Sequence, residues 1–187
     1  MNKLATWLLV IILYLNSLFC QREYPEFEII VNTVSFPANL FIYSMSEDKN
    51  YLAILNSNLI PIWTVNSDNN GFDFKLNGND QLTYFNKHEE YWISMSRNMS
   101  ETDTLQCTEN LQTDYHDIRV LPTGGYIIQA YQNISVDMSS VFENGNESSL
   151  VQQLVIQEFN AEYELIFEWY AWDHLDIIEY SNLNLTS

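Results

Sequence analysis

The feature of this sequence that most limits its fold is a series of short apolar runs separated by turn-forming residues. The runs are rich in Val, Ile, Tyr, Phe, Thr and Trp, which favour β-strands, and Asn, Asp, Gly and Ser stand between them. No long segment repeats its apolar residues with the period of a helix. The sequence therefore predicts an all-β chain. The predicted strands are Leu40 to Met45, Tyr51 to Leu55, Ile60 to Val65, Phe72 to Leu76, Gln81 to Phe85, Tyr91 to Met95, Thr102 to Gln106, Asp117 to Leu121, Tyr126 to Ala130, Leu154 to Phe159 and Leu165 to Trp169.

The spacing of these strands is typical of antiparallel hairpins in a sandwich, a barrel or a propeller. A propeller blade of four strands takes roughly 40 to 50 residues, so residues 21–187 would form three to four blades. An open arc of that size leaves a bare sheet edge, which closed propellers avoid. A propeller interpretation therefore predicts that further blades belong to the complete protein.

The first twenty residues have the pattern of a secretory signal peptide. Lys3 precedes an apolar stretch from Leu4 to Leu15, and cleavage is expected near Cys20. The stretch is shorter than the roughly 18 to 20 residues that cross a bilayer as a helix, so no stable membrane span is expected. The prediction is a secreted or extracytoplasmic protein whose mature domain comprises residues 21–187.

The charge balance excludes one class of partner. The chain has 25 acidic and 7 basic residues, a formal charge of -18. No cluster of Lys or Arg exists to neutralise phosphates, so nucleic acid is not an expected partner. The same field repels anions, and any sulfate site must depend on a few local donors.

Four Asn-x-Ser/Thr triplets, at Asn98, Asn133, Asn146 and Asn184, are candidate glycosylation sites on exposed turns. Chance occurrence is the alternative in a chain this rich in Asn, Ser and Thr. If Cys20 leaves with the signal peptide, Cys107 is the remaining thiol and cannot form an internal disulfide. Stability must then come from burial.

Five stretches recur in a characteristic order. They are Leu40-Phe41-Ile42-Tyr43 with Tyr51 to Leu55 and Pro61-Ile62-Trp63; Phe74 to Gly78 with Leu82 to Phe85; Thr113 to Asp117 leading into Leu121 to Tyr126; Val136 to Ser139; and Ile156 to Phe159 before Phe167-Glu168-Trp169 and Trp172-Asp173-His174. Taken together, they resemble the arylsulfotransferase family of secreted β-propeller proteins. The resemblance extends from about Phe36 to Ile178. It implies an antiparallel β-propeller that transfers a sulfuryl group from a phenolic sulfate ester to a phenol acceptor, with a sulfated histidine as intermediate and without a cofactor.

The resemblance assigns one histidine of this chain to the catalytic site. His116 matches the family's Asp-x-His-Asp motif, whose histidine is a sulfate ligand or an acid–base partner. Asp117 would support it, either by orienting the imidazole or by capping the turn. The alternative is a structural histidine that bridges blades through Asp114 or Asp117.

The remaining candidates favour structural roles. His174 is expected to pack near Trp169, and His88 to be a solvated turn residue. Arg119 alternates to the strand face opposite His116, so a shared site would need a twist or a bulge. By the resemblance, the histidine that becomes sulfated lies further along a complete family chain than Ser187, so catalysis by this chain alone is in question.

Two further groups of residues have simpler interpretations. The carboxylates Glu89, Glu90, Glu158, Glu162, Glu164 and Glu168 include no pair that sequence spacing brings to the separation used in glycoside hydrolysis, so solvated faces are favoured. Trp169, Tyr170 and Trp172 could bind a sugar or a phenol, but core packing is commoner. No metal-ligand spacing or phosphate loop is present. The rival to the enzyme hypothesis is a secreted, non-catalytic propeller or sandwich that binds partners.

Overall fold

The computed structural model describes residues 28–30, 37–45, 50–67, 71–141 and 143–176. The signal peptide predicted for residues 1–20 and the sequon at Asn184 lie outside this part of the chain. Eleven strands are described: β1 (Leu40–Met45), β2 (Asn50–Leu55), β3 (Pro61–Asn66), β4 (Phe72–Leu76), β5 (Leu82–Asn86), β6 (Tyr91–Met95), β7 (Glu101–Leu105), β8 (Gln112–Val120), β9 (Tyr126–Val136), β10 (Ser149–Phe159) and β11 (Leu165–Tyr170). A single-turn helix, α1 (Ala171–His174), follows β11, and short 3-10 turns occur at Gly78–Asp80 and Met138–Ser140.

The strands form three antiparallel sheets in strict chain order. Sheet A has the order β1-β2-β3, sheet B the order β4-β5-β6-β7, and sheet C the order β8-β9-β10-β11. Every connection within a sheet joins neighbouring strands, so each sheet is a meander. The all-β prediction is confirmed, and the described strands do not close into a ring.

The hairpins depend on asparagine side chains and on left-handed residues. Asn56 Oδ1 accepts hydrogen bonds from the backbone N–H groups of Asn58 and Ile60, and Asn160 Oδ1 does the same for Glu162 and Glu164. A left-handed residue follows in each turn, Leu59 at φ 62° and Tyr163 at φ 62°. This is a turn closed by a bulge, and it explains the shift of register where β3 and β11 begin.

The sheets are held together by two apolar layers. Between sheets A and B lie the buried side chains Leu52, Ile54, Phe74, Leu82, Ile93 and Met95. Between sheets B and C lie Phe85, Trp92, Leu105, Cys107, Ile118, Val120, Tyr126, Ile128, Ala130, Val155 and Phe159. Cys107 is a free thiol within this second layer. Sheet B is thus covered on both faces.

The first strands of the three sheets are neighbours. β1 contacts β4, and β4 contacts β8. β8 begins at Gln112, five residues before the start predicted from the sequence, so His116 lies within the strand and not at its entrance. β9 and β10 also extend beyond their predicted bounds, because they pair with each other from Tyr126 opposite Phe159 to Val136 opposite Ser149.

Candidate functional site

The candidate site lies where the first strands of sheets B and C depart from regular pairing. On β4, Phe72 pairs with Phe85 and Lys75 with Thr83, so three steps along β4 match two along β5. On β8, Thr113 pairs with Ala130 and Ile118 with Ile128, so five steps along β8 match two along β9. At such a bulge, side chains no longer alternate regularly between the two faces of the sheet. Residues 115–117 are therefore exposed beside the bulge of β4, whereas Asp114 is buried.

Asp114 holds the imidazole of His116. The Asp114 carboxylate is fully buried, whereas the His116 side chain is 59% exposed. His116 Nδ1 lies 2.8 Å from Oδ2 and 3.1 Å from Oδ1 of Asp114, and the His116 backbone N–H donates to Oδ1 at 2.8 Å. When Nδ1 carries the proton, Nε2 has its lone pair at the exposed side of the ring. The ring is therefore oriented for proton transfer at Nε2.

The buried end of this pair is fixed by two large side chains. Trp92 Nε1 on β6 donates to the backbone carbonyl of Asp114 at 3.0 Å. The Tyr131 hydroxyl bonds to the Asp114 carboxylate, and burial together with that negative charge raises the pKa of Tyr131. Asp114 thus connects sheet C to sheet B through its backbone and presents His116 through its side chain.

Asp117 pairs with Lys75 and does not bond to the imidazole of His116, which it was expected to orient. Its carboxylate contacts the ammonium group of Lys75 on β4, which also contacts Asp73. Burial raises the pKa of Asp73, and the nearby ammonium of Lys75 opposes that effect. Lys75 lies 5.5 Å from the centre of the Trp92 ring. Two carboxylates thus share one ammonium between the bulges, and Asp114, not Asp117, orients the imidazole.

A row of aromatic rings crosses the three first strands and ends at His116. Ring centres are 5.5 Å apart from Tyr43 to Phe72, 5.5 Å from Phe72 to Tyr115, and 4.0 Å from Tyr115 to the imidazole of His116. Tyr43 and Tyr115 are exposed. An apolar ring bound beside His116 would therefore contact Tyr115, the ring stacked on the imidazole.

The other sequence candidates lie elsewhere. His174 stacks on Trp169 with ring centres 5.3 Å apart, as its structural interpretation predicts, and His88 is exposed in the turn between β5 and β6. The side chains of Asn98, Asn133 and Asn146 are all exposed. Among the described residues, no group of three His, Cys, Asp or Glu side chains could hold a metal ion, and no helix is long and apolar enough to cross a membrane.

Sequence reasoning missed Lys75 as a member of this site. Lys75 is separated from Asp117 by 42 positions in the chain, and only the neighbouring placement of β4 and β8 brings them together. The available signal was the rarity of cations, because a lone lysine inside an aromatic strand requires a partner when it is partly buried.

Three comparisons with known proteins give no further assignment. No family model, no curated protein and no solved structure matches this chain. The function must therefore be argued from the geometry of His116 and its neighbours.

Proposed function

We propose that the three sheets are successive blades of a β-propeller and that their first strands line its centre. The proposal is supported by the meander order of each sheet and by the contacts of β1 with β4 and of β4 with β8. In propellers, sheets of four strands are arranged around a central channel, and each sheet presents one edge to it. The bulges that carry His116 and Lys75 would then face the channel.

The proposed activity is that of an arylsulfotransferase-like enzyme, with a phenolic sulfate as donor and a phenol as acceptor. The observation that carries it is the buried Asp114 carboxylate on Nδ1 of an exposed histidine. In the second half of the transfer, the acceptor phenol would attack the sulfur of the sulfated histidine that the resemblance implies: an O–S bond forms as the S–N bond breaks, and Nε2 of His116 accepts the phenolic proton. Asp114 keeps the ring oriented and stabilises the imidazolium that forms.

The charges around Lys75 favour the acid–base role of His116 over sulfate binding. Asp73 and Asp117 both contact the Lys75 ammonium, so a sulfate would compete with two carboxylates for one cation. Charge on the sulfate oxygens then needs donors other than Lys75. His116 contributes proton transfer, and Tyr115 contacts the phenolic ring.

The test uses the secreted protein expressed from its complete reading frame, with 4-nitrophenyl sulfate as donor and phenol as acceptor. Release of 4-nitrophenol should fall by roughly 10²- to 10⁴-fold in His116→Ala, the usual contribution of a general acid–base residue. His88→Ala is the matched control, since His88 is an exposed histidine of the turn between β5 and β6 and belongs to neither of the two bulges, and its turnover should equal that of the wild type. Undetectable turnover in the wild type, or equal turnover in both variants, would defeat the enzymatic proposal.

A second candidate function is the binding of a neutral aromatic ligand without chemistry. It is favoured by the ion pairs of Lys75 with Asp73 and Asp117, which compensate the charge of the ammonium group, and by the exposed rings of Tyr43 and Tyr115. In that case 4-nitrophenol perturbs the NMR signals of Tyr115 and His116, and no aryl sulfate is turned over. Turnover that disappears in His116→Ala would exclude this alternative.

Secretion is part of the same proposal. It is supported by the leader-like pattern of residues 1–20 and by the exposure of the sequon residues Asn98, Asn133 and Asn146. Expression in a glycosylating host should give secreted protein whose mass falls on treatment with an N-glycan amidase. Retention of the protein inside the cell, with residues 1–20 still attached, would contradict it.

A further inference from the structure

The outer strand of sheet C has an unusual surface. Three consecutive apolar residues of β11 are exposed, Leu165 by 40%, Ile166 by 59% and Phe167 by 50%. Within the part of the chain that the structure describes, β11 pairs with β10 and with no other strand. A strand of this composition at the edge of a sheet can pair with another extended segment.

The corresponding strand of sheet B shows how the same position is usually protected. β7 is also the last strand of its meander, and it has the sequence Glu-Thr-Asp-Thr-Leu, with its first four residues exposed and only Leu105 buried. Charged residues on an edge strand discourage pairing with other chains. The last strand of sheet A, β3, begins with Pro61, which has no N–H to donate. β11 has neither an initial proline nor an exposed charged majority.

The charges around β11 are all of one sign. Each of the seven Lys and Arg residues of the chain lies at or before Arg119. Glu158 pairs directly with Phe167 across the strands, Glu162 and Glu164 lie in the preceding turn, and Asp173 follows in α1. Carboxylates therefore surround the apolar edge. Sheet C has no Lys or Arg after Arg119 to compensate their charge.

We propose that β11 is a docking strand for an extended, cationic segment of a partner protein, in which apolar residues alternate with Lys or Arg. The segment adds a strand to sheet C: its backbone pairs with β11, its apolar side chains pack beside Leu165 and Phe167 on one face, and its cations lie on the other face, which carries Glu168. A second copy of this chain is disfavoured as the partner, because both copies would present carboxylates at the same edge. The proposal is independent of the arylsulfotransferase proposal, since β11 lies at the opposite edge of sheet C from β8.

The test measures binding of a fluorescent peptide of alternating lysine and valine to the secreted protein by anisotropy. Phe167→Gln should weaken binding by roughly tenfold or more, as expected for loss of an apolar anchor. Ile62→Gln, which removes a comparably exposed apolar side chain from β3, is the matched control and should leave the affinity unchanged. Both positions are exposed, so the thermal midpoints of both variants should equal that of the wild type, which shows that the fold is intact.

Four results would overturn the proposal. The first is absence of peptide binding to the wild type. The second is equal affinity for a peptide methylated on all of its backbone nitrogens, because such a peptide has no N–H group to donate to an edge strand. The third is a dimer in sedimentation experiments that Ile166→Lys dissociates, because the edge would then be occupied by a second copy. Equal loss of binding in Ile62→Gln and Phe167→Gln would also contradict a site at β11.

Discussion

At the scale of single residues, Asp114 has the largest number of dependent contacts in the candidate site. It accepts hydrogen bonds from the backbone N–H and the Nδ1 atom of His116 and from Tyr131, while its backbone carbonyl accepts from Trp92. A buried carboxylate is stable only when such donors surround it. The residue therefore combines a structural and a positioning role.

We expect Asp114→Ala to lower the free energy of unfolding by about 1 to 3 kcal/mol, because it removes the buried acceptor shared by the Tyr131 hydroxyl and by the backbone N–H and Nδ1 of His116. Urea unfolding measures this loss. Asp117→Ala is the matched control: its carboxylate is 61% exposed, and its ion pair with Lys75 should contribute less than about 1 kcal/mol. Equal losses in both variants would contradict the distinction between the two aspartates.

At the scale of structural elements, the joint between sheets B and C depends on the turn after β4. Asn77 Oδ1 accepts from the Val120 backbone N–H at 2.8 Å, and its Nδ2 donates to the Ile118 carbonyl at 2.9 Å and to Thr83 at 3.1 Å. Gly78 follows, and a Cβ there would lie only 2.0 Å from the Val120 carbonyl oxygen. The dipeptide thus brings the backbones of two sheets into direct contact.

Asn77→Ala should destabilise the protein by about 3 kcal/mol, since it removes four side-chain hydrogen bonds and leaves partly buried backbone groups unpaired. Asn56→Ala is a suitable control, because Asn56 makes the same kind of turn contact but only within its own hairpin. Its cost should stay near 1 kcal/mol in the same urea titration. A loss at Asn77 no larger than that at Asn56 would contradict the proposed joint.

The strands were predictable because their apolar runs and turns are local features. Each of the eleven predicted segments overlaps a strand. The bulge between Thr113 and Ile118 was not predictable, since its polar residues resemble a turn and its pairing depends on β9. For the same reason Lys75, Asp73 and Asp117 could be brought together only by the packing of β4 against β8.

At the scale of the whole molecule, net charge opposes folding. A formal charge of -18 on 187 residues repels itself more strongly when the chain is compact than when it is extended. Among the described residues, few ion pairs offset this repulsion: Lys75 pairs with Asp73 and Asp117, and Arg97 pairs with Asp80. Stability depends mainly on the two apolar layers around sheet B.

The midpoint of urea unfolding should therefore rise when NaCl is increased from about 0.01 M to about 0.5 M, because the screening length falls well below the size of the domain. Sucrose, which stabilises without screening charge, is the comparison for a general solvent effect. A variant with four exposed glutamates changed to glutamine should show a smaller response to salt. A salt response unchanged by these substitutions would show that self-repulsion is not its cause.

The strict chain order of the sheets has a consequence for biosynthesis. Strands that pair with their immediate successors form mostly local contacts, which favours rapid assembly of each meander as it emerges from the ribosome. Sheet A is complete before sheet B is synthesised, and sheet B before sheet C. Each sheet can therefore pack against the preceding sheet as soon as it has been synthesised. Folding can thus proceed from the N-terminal sheet to the C-terminal sheet during translation.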